Sequence, residues 1–274
     1  MSKKTILILL LIPFAALKAF PQGNLLISPA RVVIEEGKQK EDLNLTNIGQ
    51  DTAVYVVSFI HYQMLVDGSF KILEKPDSAT RADKYLRLFP RRITLPPNQS
   101  QTIVLQFRKQ SNMKAGEYRS HIYFRAEKEI TPLGMKDPKL DSTKMAVRIT
   151  PIFGLSIPAI IRVGSLKLQI SLSDVKLSAL NDSTSRLNFT INRTGEKSAY
   201  GNFKVEYLPE KGKKIEVGVA NGVGVYTELT KRNFSMSVKL TNAMKLYSGK
   251  LIIRYLTPVE DGNTELAHVE YVIH

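Results

Sequence analysis

Imidazole serves both metal binding and proton transfer, so the histidines are weighed first: His61, His121, His268 and His274. None stands three or four residues from another, the spacing that brings two imidazoles onto one metal. Paired carboxylates are the next chemistry to weigh. Glu35 and Glu36 adjoin. Neighbours on a strand point to opposite faces, so these two cannot share a substrate and read as turn solvation. Glu127 and Glu129 share a face but stand at the mouth of an irregular segment. There is no Gly-x-Ser-x-Gly elbow and no phosphate-cradling glycine loop. The sequence has no tryptophan to stack on a sugar ring. The expectation is a protein that is not an enzyme, with no catalytic residues, no metal and no cofactor.

Charge and the ends of the chain narrow the class. The formal net charge is +14. Lys3, Lys4 and Lys18 supply three of these charges, which leaves +11 on the rest of the chain. A basic protein attracts acidic partners. The cations here are spread, with small groups at Arg87–Arg92 and Lys211–Lys214, and no nucleic-acid module is recognisable. No nucleic-acid partner is expected. Residues 1–23 have a basic start, an apolar run and small residues, the order of a secretion signal cleaved after Ala19 or Gly23. The apolar run is too short to span a bilayer and Pro13 interrupts it. No membrane span is expected after cleavage. The chain has no cysteine, so neither a lipid-attachment thiol nor disulfides are available. An exported bacterial-envelope protein, placed in the periplasm, fits that pattern.

The elements that must carry any site are strands. Alternation of period two dominates. It predicts strands at 25–34, 42–47, 53–62, 93–95, 102–108 and 116–125, with Asp67-Gly68 as a hairpin signal. Residues 128–142 read as a long exposed loop, and 145–158 as a long strand bent at Pro151 and Gly154. A second series follows at 166–170, 185–192, 202–207, 214–219, 234–240, 249–255 and 266–273. The predicted fold is all-β: two tandem immunoglobulin-like β-sandwich domains with a cleft between them. The boundaries are a signal peptide at 1–23, a first domain at 24–158, a connector at 159–164 and a second domain at 165–274.

Several stretches resemble the periplasmic chaperones of pilus assembly, the PapD-like family. Residues 27–34, Ile-Ser-Pro-Ala-Arg-Val-Val-Ile, look like its first strand. Residues 89–101 look like its proline-rich turn followed by glutamine, and 116–124 like the strand before its long loop. In the second half, Arg193-Thr194-Gly195, Ser198–Gly201 and Gly224–Thr227 look like a divergent branch of the group. The order of these motifs after a signal carries the resemblance.

The resemblance implies a function. Such a chaperone binds and caps an unfolded pilus, fimbrial or surface-fibre subunit, lends it the seventh strand, and anchors the subunit's terminal carboxylate with basic residues in the cleft. An outer-membrane usher-type assembly protein then receives the cargo. Arg31 stands where the family has its first basic anchor. The lysine expected late in the seventh strand is missing, which leaves Arg148 and Arg119 as candidates for the second anchor. Met145, Val147 and Ile149 share one face of the donor strand. Burying three such side chains contributes roughly 5–9 kcal/mol before ordering costs. Two plainer readings stand beside these: Arg31 pairs with a neighbouring carboxylate, or the three apolar residues form an inward core face. The alternative function is a structural fibre subunit or adhesin made of tandem immunoglobulin-like domains.

Overall fold

The computed structural model describes residues 25–77, 79–111, 113–127, 154–240 and 249–273. The secretion signal, the loop at 128–142 and residues Met145, Val147, Arg148 and Ile149 lie outside the described residues.

Two sandwiches follow one another, as alternation predicts. In the first, one sheet runs in the order β1 (Leu25–Ser28), β3 (Lys40–Asn47), β9 (Ser100–Phe107) and β7 (Leu86–Phe89). The facing sheet runs β2 (Val32–Ile34), β11 (Gly154–Val163), β10 (Gly116–Glu127), β4 (Ala53–Ile60) and β8 (Arg92–Leu95). Every second side chain points inward. Leu43 and Leu45 of β3, Ile103 and Leu105 of β9, Ile122 and Phe124 of β10, and Ala159 and Ile161 of β11 meet in one core. The chain changes sheets within 28–32: β1 pairs antiparallel with β3, and β2 pairs parallel with β11. Proline has no N–H for a ladder, so Pro29 falls naturally at this crossing. Asn47, fully buried, ties the far end together. Its Nδ2 donates to the carbonyls of Asp51 and Leu95, each at 2.8 Å, and its Oδ1 accepts from Gly49 N at 2.9 Å.

The second sandwich packs β12 (Leu168–Ala179), β13 (Thr184–Gly195) and β16 (Lys231–Lys239) against β15 (Ile215–Val225), β14 (Ala199–Pro209), β17 (Gly249–Leu256) and β18 (Glu265–Ile273). Aromatic rings fill its core. Phe203 stacks on Tyr255 with centroids 4.4 Å apart, and Phe189 and Phe234 close around them. The Tyr255 hydroxyl donates to Val223 O at 2.7 Å, which satisfies its one buried polar atom.

Two differences from the sequence reading bear on the site. Residues 159–163, read as a connector, belong to β11, where Ala159 faces Ser120 and Val163 faces Gly116 in an unbroken antiparallel register. Their alternate side chains belong to the first core, so the joint follows at 164–167. Strand β7 lies outside the predicted strands, because Arg87 and the arginines beyond it read as a charge group. Leu86 and Leu88 are the buried partners of that alternation. A separate hairpin, β5 (Tyr62–Met64) and β6 (Phe70–Ile72), forms around Asp67-Gly68 as expected and pairs with neither sheet of the sandwich.

Candidate functional site

The outward face of β10 and β11 meets the second sandwich, and alternation decides what it presents. Tyr118, Ile122 and Phe124 point into the first core, so Glu117, Arg119 and His121 point away from it. On β11, Arg162 lies between the core residues Ile161 and Val163 and emerges on that outer face.

Glu117 is the hub. Its side chain is 1% exposed. Its Oε2 accepts from Arg162 Nε, from Ser198 N and from Ser198 Oγ, each at 2.9 Å. Arg162 also donates to Glu35 Oε1 at 3.0 Å and to Ser198 O at 3.2 Å. Burial alone lowers the guanidinium's pKa, but Glu117 and Glu35 outweigh it and raise it. Glu35 thus has a partner within its own sandwich as well as solvent. Arg193, buried in the second sandwich, donates to the carbonyls of Leu229, Gly195, Lys197 and Thr227. It fixes the loops that present Ser198 and Tyr226.

Arg31 stands at the same joint. Its Nη2 lies 3.5 Å from Ser198 Oγ, a long contact, and its guanidinium sits 4.5 Å from the ring centre of Tyr200. No carboxylate lies within ion-pair distance of it among the described residues. Its Nε is buried with no hydrogen-bond partner. Burial, together with the nearby Arg162 charge, holds its pKa below the ordinary guanidinium range. Among the described residues, the plainer reading of an arginine paired with a neighbouring carboxylate is not seen.

Arg119, the other described candidate, is engaged. Its Nη2 donates to Glu228 Oε1 at 2.6 Å and to Tyr62 O at 2.8 Å, and its guanidinium lies 3.7 Å from the Tyr226 ring centre. Its Nη1 is buried without a partner. Arg31 and Arg119 both act on the Tyr226 hydroxyl, whose pKa burial raises and their charges lower. The structure thus brings Arg31 and Arg119 to one joint.

A cavity of about 650 Å³ opens beside Arg119, lined by His61, Arg81, His121, Glu196 and Glu228 among others. His61 lies 3.6 Å from Asp83 Oδ1, while Ser120 Oγ donates to that same oxygen at 3.0 Å. His121 is 4% exposed. Its ring meets Tyr62 edge-on at 4.9 Å, with Phe70 and Tyr226 on either side.

Burial first, then Arg119 and His61, pulls the His121 pKa down to about 3. The folded protein therefore resists a proton that the unfolded chain accepts below about pH 6.5. Stability falls as pH drops through that window, by about 2 kcal/mol at pH 5 from this group. His121→Phe retains a ring and removes the titration. Its urea midpoint is expected to decline less steeply between pH 7 and pH 5 than that of the parent. Equal slopes would exclude His121 as the source.

The hub itself was not singled out from sequence. Glu117 shares a strand face with Arg119, so alternation alone links those two. Nothing local links Glu117 to Arg162 or Ser198.

No protein-family model matches the chain, and neither does any curated protein. Among solved structures, the class 5 fimbriae chaperone CfaA is similar at 15% identity over 92% of this chain and 99% of its own, with a TM-score of 0.41. The YadV chaperone is similar at 13% identity over 91% and 100%, with a TM-score of 0.44. The CupB2 chaperone of Pseudomonas aeruginosa is similar at 12% identity over 91% and 100%, with a TM-score of 0.42. These likenesses span nearly the whole chain.

Proposed function

We propose that the protein is an exported periplasmic chaperone that binds and caps unfolded pilus, fimbrial or surface-fibre subunits and passes them to an outer-membrane usher-type assembly protein. One observation carries this reading: Arg31 is a half-buried cation at the joint of two sandwiches with no counter-ion among the described residues. A desolvated guanidinium is costly unless an anion compensates it. A polypeptide's terminal carboxylate supplies such an anion, with planar geometry that matches the guanidinium fork.

A second feature supports the same reading. Gly154–Pro158 pair with β10 on one side, whereas β2 meets β11 only at 159–161. Among the described residues no strand covers the other edge of 154–158. An uncovered edge offers backbone groups to a foreign strand. The proposed donor side chains, Met145, Val147 and Ile149, precede this edge in sequence, and Arg148 lies among them. Arg31 is the proposed first anchor. Arg119 serves as a second only if a cargo carboxylate displaces Glu228. A fibre subunit is the weaker reading, because such a subunit needs an open groove, whereas Leu43, Ile103, Leu187 and Leu251 of the two cores are all fully buried.

The test is affinity isolation of the tagged full chain from its native host. The expected product is a one-to-one complex with a small secreted β-protein. Ladders of the chain with itself would overturn the chaperone reading in favour of the fibre subunit.

A further inference from the structure

We infer that the β5–β6 hairpin is an interdomain strap: residues 62–72 of the first sandwich grip the second and fix the angle of the cleft. The inference concerns the joint alone and holds whatever the cleft binds.

The hairpin has no role in its own sandwich's sheets, since β5 and β6 pair only with each other. A lone two-stranded hairpin is marginal in water and needs a surface to dock on. The base of the hairpin rests on β10, where Tyr62 and Phe70 meet His121, and the rest docks on the second sandwich. Met64 N donates to Glu228 Oε1 at 2.9 Å, and Asn233 N, at the start of β16, donates to Val66 O at 2.7 Å. Met64 is 3% exposed and packs with Ile160 and Tyr226 in a small core of its own, distinct from those of the two sandwiches. Phe70 leans on Tyr226 with ring centres 6.0 Å apart.

The tip is fitted as closely as the base. Gly68 has φ of +84°, a conformation side chains rarely adopt, and a Cβ there would overlap the Arg232 guanidinium. Arg232 is itself held by the carbonyl of Gly224. Glu228 closes the arrangement from the other side. One of its oxygens accepts from Met64 in the hairpin and from Arg119 in β10, so a single carboxylate of the second sandwich holds two elements of the first.

The Glu117–Arg162–Ser198 network joins the sandwiches at one place. A single point of attachment permits rocking about it. The strap supplies a second attachment, and two separated attachments set an angle. Exposed Leu65, Val66 and Ile72 beside the buried Met64 fit a hairpin held by its ends rather than by a broad face.

The chain has no cysteine, so two can be introduced cleanly. Spin labels at Gln50→Cys and Lys211→Cys, both exposed and one in each sandwich, report the interdomain distance in the full chain. A single narrow distance distribution is expected. In Gly68→Val, and in Glu228→Gln, which keeps the side chain's shape and guards against a variant that fails to fold, the distribution is expected to broaden by twofold or more. The turn at 65–69 should become open to limited proteolysis at the same time, with far-UV dichroism unchanged. A distribution as narrow as the parent's in both variants overturns the strap, because the network alone would then set the angle.

Discussion

Replacing Glu117 with alanine is expected to cost about 3–5 kcal/mol of stability, the usual penalty for removing one partner of a buried ion pair. The reason is what stays behind. Arg162, with a side chain only 13% exposed, loses its nearest anion and keeps only the exposed Glu35. Ser198 N–H and its hydroxyl lose their acceptor at the same moment. The cost therefore comes mainly from uncompensated donors, not from the pair's own net worth. That account makes a second result necessary. Glu117→Met combined with Arg162→Met removes both charges and fills the space, so most of the lost stability should return. Urea midpoints of the parent, the single variant and the double variant measure this. A double variant as unstable as Glu117→Ala would locate the loss in the Ser198 hydrogen bonds instead. A parent-like midpoint in Glu117→Ala would remove Glu117 as the hub of the joint.

The two sandwiches were legible because alternation is a local signal. Leu43 and Leu45, Ile103 and Leu105, and Leu187, Phe189 and Ile191 each write their inward face into five residues or fewer. The Asp67-Gly68 turn was legible for the same reason: a glycine with positive φ is required at that spot. Local signals misled where two of them competed. Pro158 looked like a strand end, yet β11 continues through it, because a missing N–H is harmless at an edge that no described strand pairs. Leu86-Arg87-Leu88 looked like part of a charge cluster, although an alternating strand needs only its inward residues to be apolar. The joint was legible in fragments. Arg193, Ser198 and Tyr226 fell within the stretches that carried the family resemblance, but their partners lie far away in sequence. Glu117 meets Ser198 across 81 residues, and Met64 meets Glu228 across 164. No spacing rule reaches that far. Arg31 is legible through the resemblance, but nothing in the sequence indicates that no carboxylate among the described residues reaches it.

Arg193 at the same joint is held by four carbonyls, whereas Arg31 has among the described residues neither a carboxylate within ion-pair distance nor a partner for its Nε, and this fixes the expected behaviour of Arg31→Ala. Glu117 and Arg162 stabilise each other, so removing either damages the fold. Arg31 carries a desolvation cost with no carboxylate among the described residues close enough to balance it, so its removal forgoes only the stacking on Tyr200 and a long contact with Ser198. A cation–π contact of that kind contributes about 0.5–2 kcal/mol, and the relief of desolvation offsets part of it. The urea midpoint of Arg31→Ala should therefore correspond to a stability within about 1 kcal/mol of the parent's. Binding should respond quite differently. A charge-assisted bond to a carboxylate contributes about 1.5–3 kcal/mol, equivalent to roughly 10–150-fold in affinity. The tagged Arg31→Ala chain should recover correspondingly less of its partner from the native host. Arg31→Lys keeps the charge but loses the planar fork, so it should fall between the two. Partner recovery equal to the parent's would remove Arg31 as the anchor. Recovery that falls only in step with stability would make Arg31 one more residue of the joint, and the reading of the cleft as a carboxylate site would go with it.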